Sequence, residues 1–135
     1  MPLLKILLAE DDHDDQKLFH EFLQDRSDIV ILPMVENGVE LMESLEKIMI
    51  PSDLPGLIIL DQNMPKLNGL NSLKELKKST RYAHIPVMVY STYTDYNLVK
   101  TCKEQGACAV MSKPLNKDGY HEMINDLLRI IDKSV

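Results

Sequence analysis

Basic residues are scarce in this chain, and the scarcity excludes a first class of function. Against 21 acidic side chains stand 15 Lys and Arg, a formal net charge of −6 at pH 7. A nucleic-acid face needs clustered Lys and Arg, so none is expected. Cysteine is rarer still. Cys102 and Cys108 are too few for a disulfide framework, and no CxxC pair points to zinc or redox chemistry. Both are expected as reduced core residues of a cytoplasmic protein. Long apolar runs are missing too. Met1 to Leu8 is apolar but short, holds Lys5 and runs straight into acids, so neither a signal peptide nor a membrane contact is expected.

What is present suits one folded unit. The 135 residues are 44% hydrophobic and 27% charged, with no repeat and no linker. One domain over residues 1–135 is expected, with no attached effector domain.

Short apolar runs alternate with amphipathic stretches. Leu3–Ala9 reads as a first buried strand, followed by Glu10-Asp11-Asp12-His13-Asp14-Asp15, five acids in six residues. Gln16–Asp25 repeats Leu18, Phe19, Phe22 and Leu23 at helical spacing. Asp28–Met34 is a second strand, with Pro33 hinting at a sheet edge. A helix opening at Asn37-Gly38 gathers Leu41, Met42, Leu45, Ile48 and Met49 on one face, and Pro51–Pro55 is a polar break. Gly56–Leu60 is the third strand, and a helix through Leu70, Leu73 and Leu76 runs to about Ser79.

Ile85–Tyr90 is the fourth strand, and Asp95–Gln105 a helix burying Leu98, Val99 and Cys102 and ending at Gly106. Cys108–Met111 is a short fifth strand, and Asp118–Asp132 the last helix. Such alternation predicts an α/β fold: a flavodoxin-like, doubly wound (βα)5 unit. Its five parallel strands take the order 2-1-3-4-5, with helices on both faces.

In this fold ligands bind beyond the carboxyl ends of the strands. Glu10 and Asp11 follow the first strand, Asp61 the third, Ser91 the fourth and Lys113 the fifth. Each has an ordinary reading: Asp61 as the start of a turn, Ser91 as a loop serine, Lys113 as a surface lysine. For Asp12, Asp14 and Asp15 solvated charge at a helix start is the better reading. Three carboxylates on one rim repel unless a cation sits among them, and Mg²⁺ is the natural guest. Such a site suits phosphoryl chemistry, with Asp61 as nucleophile, Ser91 donating to one phosphoryl oxygen and Lys113 pairing with another.

These residues carry a family resemblance. ILLAEDD (6–12), LIILDQNMPKLNGL (57–70), PVMVYST (86–92) and MSKP (111–114) occur in the order and spacing of the receiver domain of two-component response regulators, which the chain resembles over nearly its whole length. The resemblance implies Asp61 as phosphoacceptor, Asp11 as a direct Mg²⁺ ligand and Glu10 as a ligand through water. It implies Asn63 as a ligand through its backbone carbonyl, Ser91 as the switch hydroxyl, Lys113 as the phosphate partner and a cis Lys113–Pro114 bond. The donor would be a sensor histidine kinase or phosphotransfer protein. Output would run through an unidentified protein target or a phosphorylation-dependent homodimer. Beyond its own phosphorylation and slow dephosphorylation no enzymatic activity is expected. Val110 departs from the family, which often places an aromatic there, and Tyr90 or Tyr93 are the candidate substitutes.

Three rivals share the fold class. A phosphorylation-independent docking module would leave the reactive positions without a use. A flavin-binding electron carrier needs a glycine- and hydroxyl-rich loop where Glu10–Asp15 lies. An aspartate phosphatase needs a second carboxylate at Asn63. Nor do the histidines make a metal site: His13 and His20 can share a helix face, but no third ligand is evident.

Overall fold

The structure, a computed structural model, describes residues 3–133. Five parallel strands, β1 (Leu4–Ala9), β2 (Ile29–Ile31), β3 (Leu57–Asp61), β4 (Val87–Ser91) and β5 (Ala109–Ser112), form one sheet in the order β2-β1-β3-β4-β5. Helices α1 (His13–Leu23), α2 (Gly38–Glu46), α3 (Gly69–Lys78), α4 (Tyr96–Glu104) and α5 (Lys117–Lys133) connect or follow them. This is the doubly wound arrangement that the alternating pattern predicts. Among the described residues no helix is long and apolar enough to cross a membrane.

Strand parity assigns the helices to their faces. Leu7, Ala9, Ile58, Leu60, Val87 and Val89 pack with Leu41 and Leu45 of α2, Leu73 and Leu76 of α3 and Cys102 of α4. Ile6, Leu8, Leu57, Ile59, Met88 and Tyr90 point the other way, onto Phe19 and Leu23 of α1 and Tyr120, Ile124 and Leu127 of α5. Both faces are covered, which is why β1, β3 and β4 read as unbroken apolar runs. Fully burying each of these large side chains contributes about 1.5–3 kcal/mol.

Capping residues decide where the helices start. Asp12 Oδ1 accepts from Asp15 N at 3.1 Å, Asn37 Oδ1 from Glu40 N at 2.9 Å, Asn68 Oδ1 from Asn71 N at 2.8 Å and Asp95 Oδ1 from Leu98 N at 2.7 Å. Each satisfies an amide that the first helical turn leaves open. For this reason α1 begins at His13, three residues ahead of the apolar spacing that suggested Gln16. α4 ends where Gly106 takes φ +103°, a left-handed conformation that favours glycine.

Two other expectations shift. The second strand shrinks to three residues at the sheet edge because Pro33 has no amide to give. The chain returns to β1 at Val35, whose N–H donates to Leu8 O at 3.0 Å. α2 ends at Glu46, so Met49 falls outside its apolar stripe and is 82% exposed. The helix from Asp95 likewise buries only Cys102 fully, with Leu98 and Val99 half-buried.

Candidate functional site

Strand register builds the site. Ala9 lies beside Leu60 and Asp61 beside Tyr90, so Glu10, one residue past β1, comes level with the end of β3. Counting by twos, Glu10, Asp61 and Tyr90 share the α1/α5 side of the sheet. Glu10, Asp61 and Ser91 are buried and Asp11 is exposed. Oxygens of Glu10, Asp11 and Asp61 all lie within 4.8 Å of one another, the only such metal-ligating group among the described residues.

Lys113 reaches into this cluster from the loop after β5. Its Nζ lies 2.9 Å from Glu10 Oε1, 2.9 Å from Asp15 Oδ2 and 3.4 Å from Asp61 Oδ2. It also sits 5.2 Å from the centroid of the Tyr90 ring. The Tyr90 hydroxyl donates to Glu10 Oε1 at 2.8 Å, and Asp12 N donates to Glu10 Oε2 at 3.1 Å. Asn63 N donates to Asp61 Oδ1 at 3.1 Å. Gly69 lets α3 start hard against this loop; a Cβ there would meet Asp61 O at 2.8 Å and Gln62 Cα at 2.9 Å.

Burial, then the hydrogen bond and charge of Glu10, push the Asp61 carboxyl up to about 8, against the opposing pull of Lys113. Burial disfavours the Lys113 ammonium, yet hydrogen bonds to Glu10 and Asp15 outweigh it and its pKa is raised. Burial, with Glu10 beside it, holds the Tyr90 phenol far above its ordinary value, so it keeps the proton it donates to Glu10. The pocket therefore holds more negative charge than its one ammonium balances. Its donors are hard carboxylate oxygens, which fit a hard divalent cation.

All six residues singled out from the sequence meet at this edge, with Ser91 on the α4 side. Ser91 Oγ accepts from Asn63 Nδ2 at 3.4 Å and from Tyr93 N at 3.3 Å. The Lys113–Pro114 bond is a correction: no cis peptide occurs among the described residues, and this bond is trans. Tyr90, one candidate substitute for an aromatic at Val110, is committed to Glu10 on the opposite face of the sheet. Tyr93 is 74% exposed, and Val110 packs half-buried on the α4 side. The four histidines stay outside the site; His13 pairs with Glu36 at 2.5 Å.

Two members of the network escaped sequence reasoning. The sequence groups Asp15 with Asp12 and Asp14 as solvated charge, but Asp12 caps α1 and Asp15 pairs with Lys113. A signal existed: Asp15, Phe19 and Leu23 recur every four residues, so Asp15 lies on the stripe α1 buries. The sequence offers Tyr90 as the end of the fourth strand and a candidate substitute for the aromatic at Val110, and only register reveals its partner.

The model of the response regulator receiver domain matches residues 6–125, and the chain belongs to that family. It is similar to the osmosensing histidine protein kinase SLN1 of Saccharomyces cerevisiae, 26% identical over 114 residues. That match takes in 84% of this chain and only 9% of the kinase. Among solved structures, the Mn(2+)-bound response regulator Rcp1 is 29% identical, with 88% of each chain covered and a TM-score of 0.74. The phosphorylated cyanobacterial phytochrome response regulator RcpA is 25% identical, with 98% of this chain and 96% of that one covered and a TM-score of 0.80. Receiver domains bind Mg²⁺ in an acidic pocket, and Glu10, Asp11 and Asp61 form an acidic pocket here.

Proposed function

We propose that this chain is a phosphoacceptor switch of a two-component phosphorelay, taking a phosphoryl group on Asp61 from a phosphohistidine of a sensor kinase or phosphotransfer protein. The observation that carries the reading is the meeting of Asp61, two further carboxylates and one ammonium at a single sheet edge. An Asp61 oxygen attacks phosphorus, the phosphorus–nitrogen bond to the partner imidazole breaks, and that nitrogen leaves with the electron pair. Glu10, Asp11, Asp61 and the Asn63 carbonyl would hold Mg²⁺, which neutralises charge on the transferred group. Lys113 pairs with a phosphoryl oxygen and Ser91 donates to another. These contacts bias the loops after β4 and β5, and a protein partner or second copy in the cytoplasm reads the change. Two relatives support the reading, one described with Mn(2+) bound and one phosphorylated.

The test is intact mass after incubation with acetyl phosphate, with and without Mg²⁺, beside Asp61→Asn. One phosphoryl adduct requiring both Mg²⁺ and Asp61 is expected. An equal adduct on Asp61→Asn removes Asp61 from the role. No adduct at all in excess Mg²⁺ turns the reading to a phosphorylation-independent docking module.

A further inference from the structure

Lys113 has three N–H donors and three carboxylate partners. The contacts to Glu10 and Asp15 are 2.9 Å and the contact to Asp61 is 3.4 Å, so the ammonium leans away from Asp61. Only 12% of its side chain is exposed, too little for water to replace a lost partner. A phosphoryl group on Asp61 brings new acceptor oxygens and negative charge beside this cation. To bond to it, Lys113 must release a present acceptor. Glu10 is a poor choice, because its side chain is 0% exposed and its release would leave a buried carboxylate short of a counter-charge. Asp15 is 29% exposed and can turn to water instead.

We propose that Asp15 is a positioning residue that draws Lys113 back from Asp61 in the unmodified protein and competes with a phosphoryl group for the same ammonium. The inference rests on Asp61 being the phosphoacceptor. Asp14 supplies the comparison: it carries the same charge in the same first turn of α1, is exposed, and is not a partner of Lys113. Removing either charge changes the local field; only removing Asp15 frees the lysine. The Asp12 cap binds the backbone amide of residue 15, so Asp15→Asn keeps it.

The experiment measures Mg²⁺-dependent binding of beryllium fluoride, a phosphoryl mimic, and binding of Mn²⁺ alone, to the full chain and to Asp15→Asn and Asp14→Asn. Thermal unfolding of each variant is recorded beside them. Asp15→Asn is expected to tighten beryllium fluoride about fivefold relative to Asp14→Asn, the upper range for a partly exposed ion pair. Mn²⁺ alone should bind it more weakly than Asp14→Asn, because the freed lysine settles against Asp61. Equal shifts in the two variants would reduce Asp15 to its charge and overturn the inference. Weaker binding of both ligands with a lowered unfolding midpoint would make Asp15 merely structural and overturn it too. If the unaltered chain binds no beryllium fluoride in Mg²⁺, the phosphoacceptor reading falls and this inference with it.

Discussion

On the α1/α5 side of the sheet edge, Lys113, Glu10, Asp15, Asp61 and Tyr90 are joined by contacts of 2.8 to 3.4 Å. On the α4 side, Ser91 Oγ accepts at 3.3 and 3.4 Å, and Tyr93 in the next loop and Tyr96 at the start of α4 are 74% and 77% exposed. One half of the rim is a largely buried charge network in which Lys113, Glu10 and Asp61 each have several partners. The other half is a hydroxyl under a loop with little packed against it. Buried charges lock one another because each one left alone is expensive. A loosely held hydroxyl can turn to a new acceptor at small cost, which suits the proposed switch.

Substitutions can break this contrast, beginning with its centre. Lys113→Ala leaves Glu10 and Asp61 without their cation and should destabilise the fold by about 3 kcal/mol, read from urea unfolding without divalent ions. A loss below 1 kcal/mol would mean that the network does not act as a unit. Tyr90→Phe keeps the ring under Lys113 but deletes the donor to buried Glu10, for an expected loss of about 2 kcal/mol. Ser91→Ala, at an equally buried position, should lose only about 0.5 kcal/mol, because its bonds are long. Equal losses from these two would erase the difference between the halves.

The smallest expected effect lies away from the rim. The Arg26 hydrogen bond to Asp28 is the main cause of that carboxyl's lowered pKa, opposed by some burial. A carboxyl with a lowered folded-state pKa binds fewer protons folded than unfolded. Its contribution is therefore present above the unfolded carboxylate pKa and lost as pH falls through the folded one. Asp28 is 47% exposed, so water and salt screen the pair to well under about 1 kcal/mol. Asp28→Asn should flatten the acid limb of the stability curve only slightly; a change as large as that from Tyr90→Phe would contradict the screening.

Much of the fold was legible because apolar periodicity and turn chemistry are local. Leu57–Leu60, a short apolar run ending at a carboxylate, suits a strand buried on both faces, and Leu70, Leu73 and Leu76 mark the helix that follows. Boundaries were less legible where a single backbone group decided them: the Asp12 cap lengthened α1, and the missing amide of Pro33 shortened β2. The residues of the rim followed from strand ends, since every strand of a parallel sheet delivers its last residue to the same side.

Sequence by itself determined the strand–helix alternation, the surplus of acid after the first strand, and the set Glu10, Asp11, Asp61, Ser91 and Lys113 at one edge. These follow from each residue's place in its own element. Tertiary structure alone decided that Lys113 divides itself among three carboxylates, that Asp15 is one of them, and that Tyr90 serves Glu10 rather than the α4 side. Those pairings join residues 52 to 103 positions apart. Contacts of that span depend on strand register and helix rotation, which only the packed core sets.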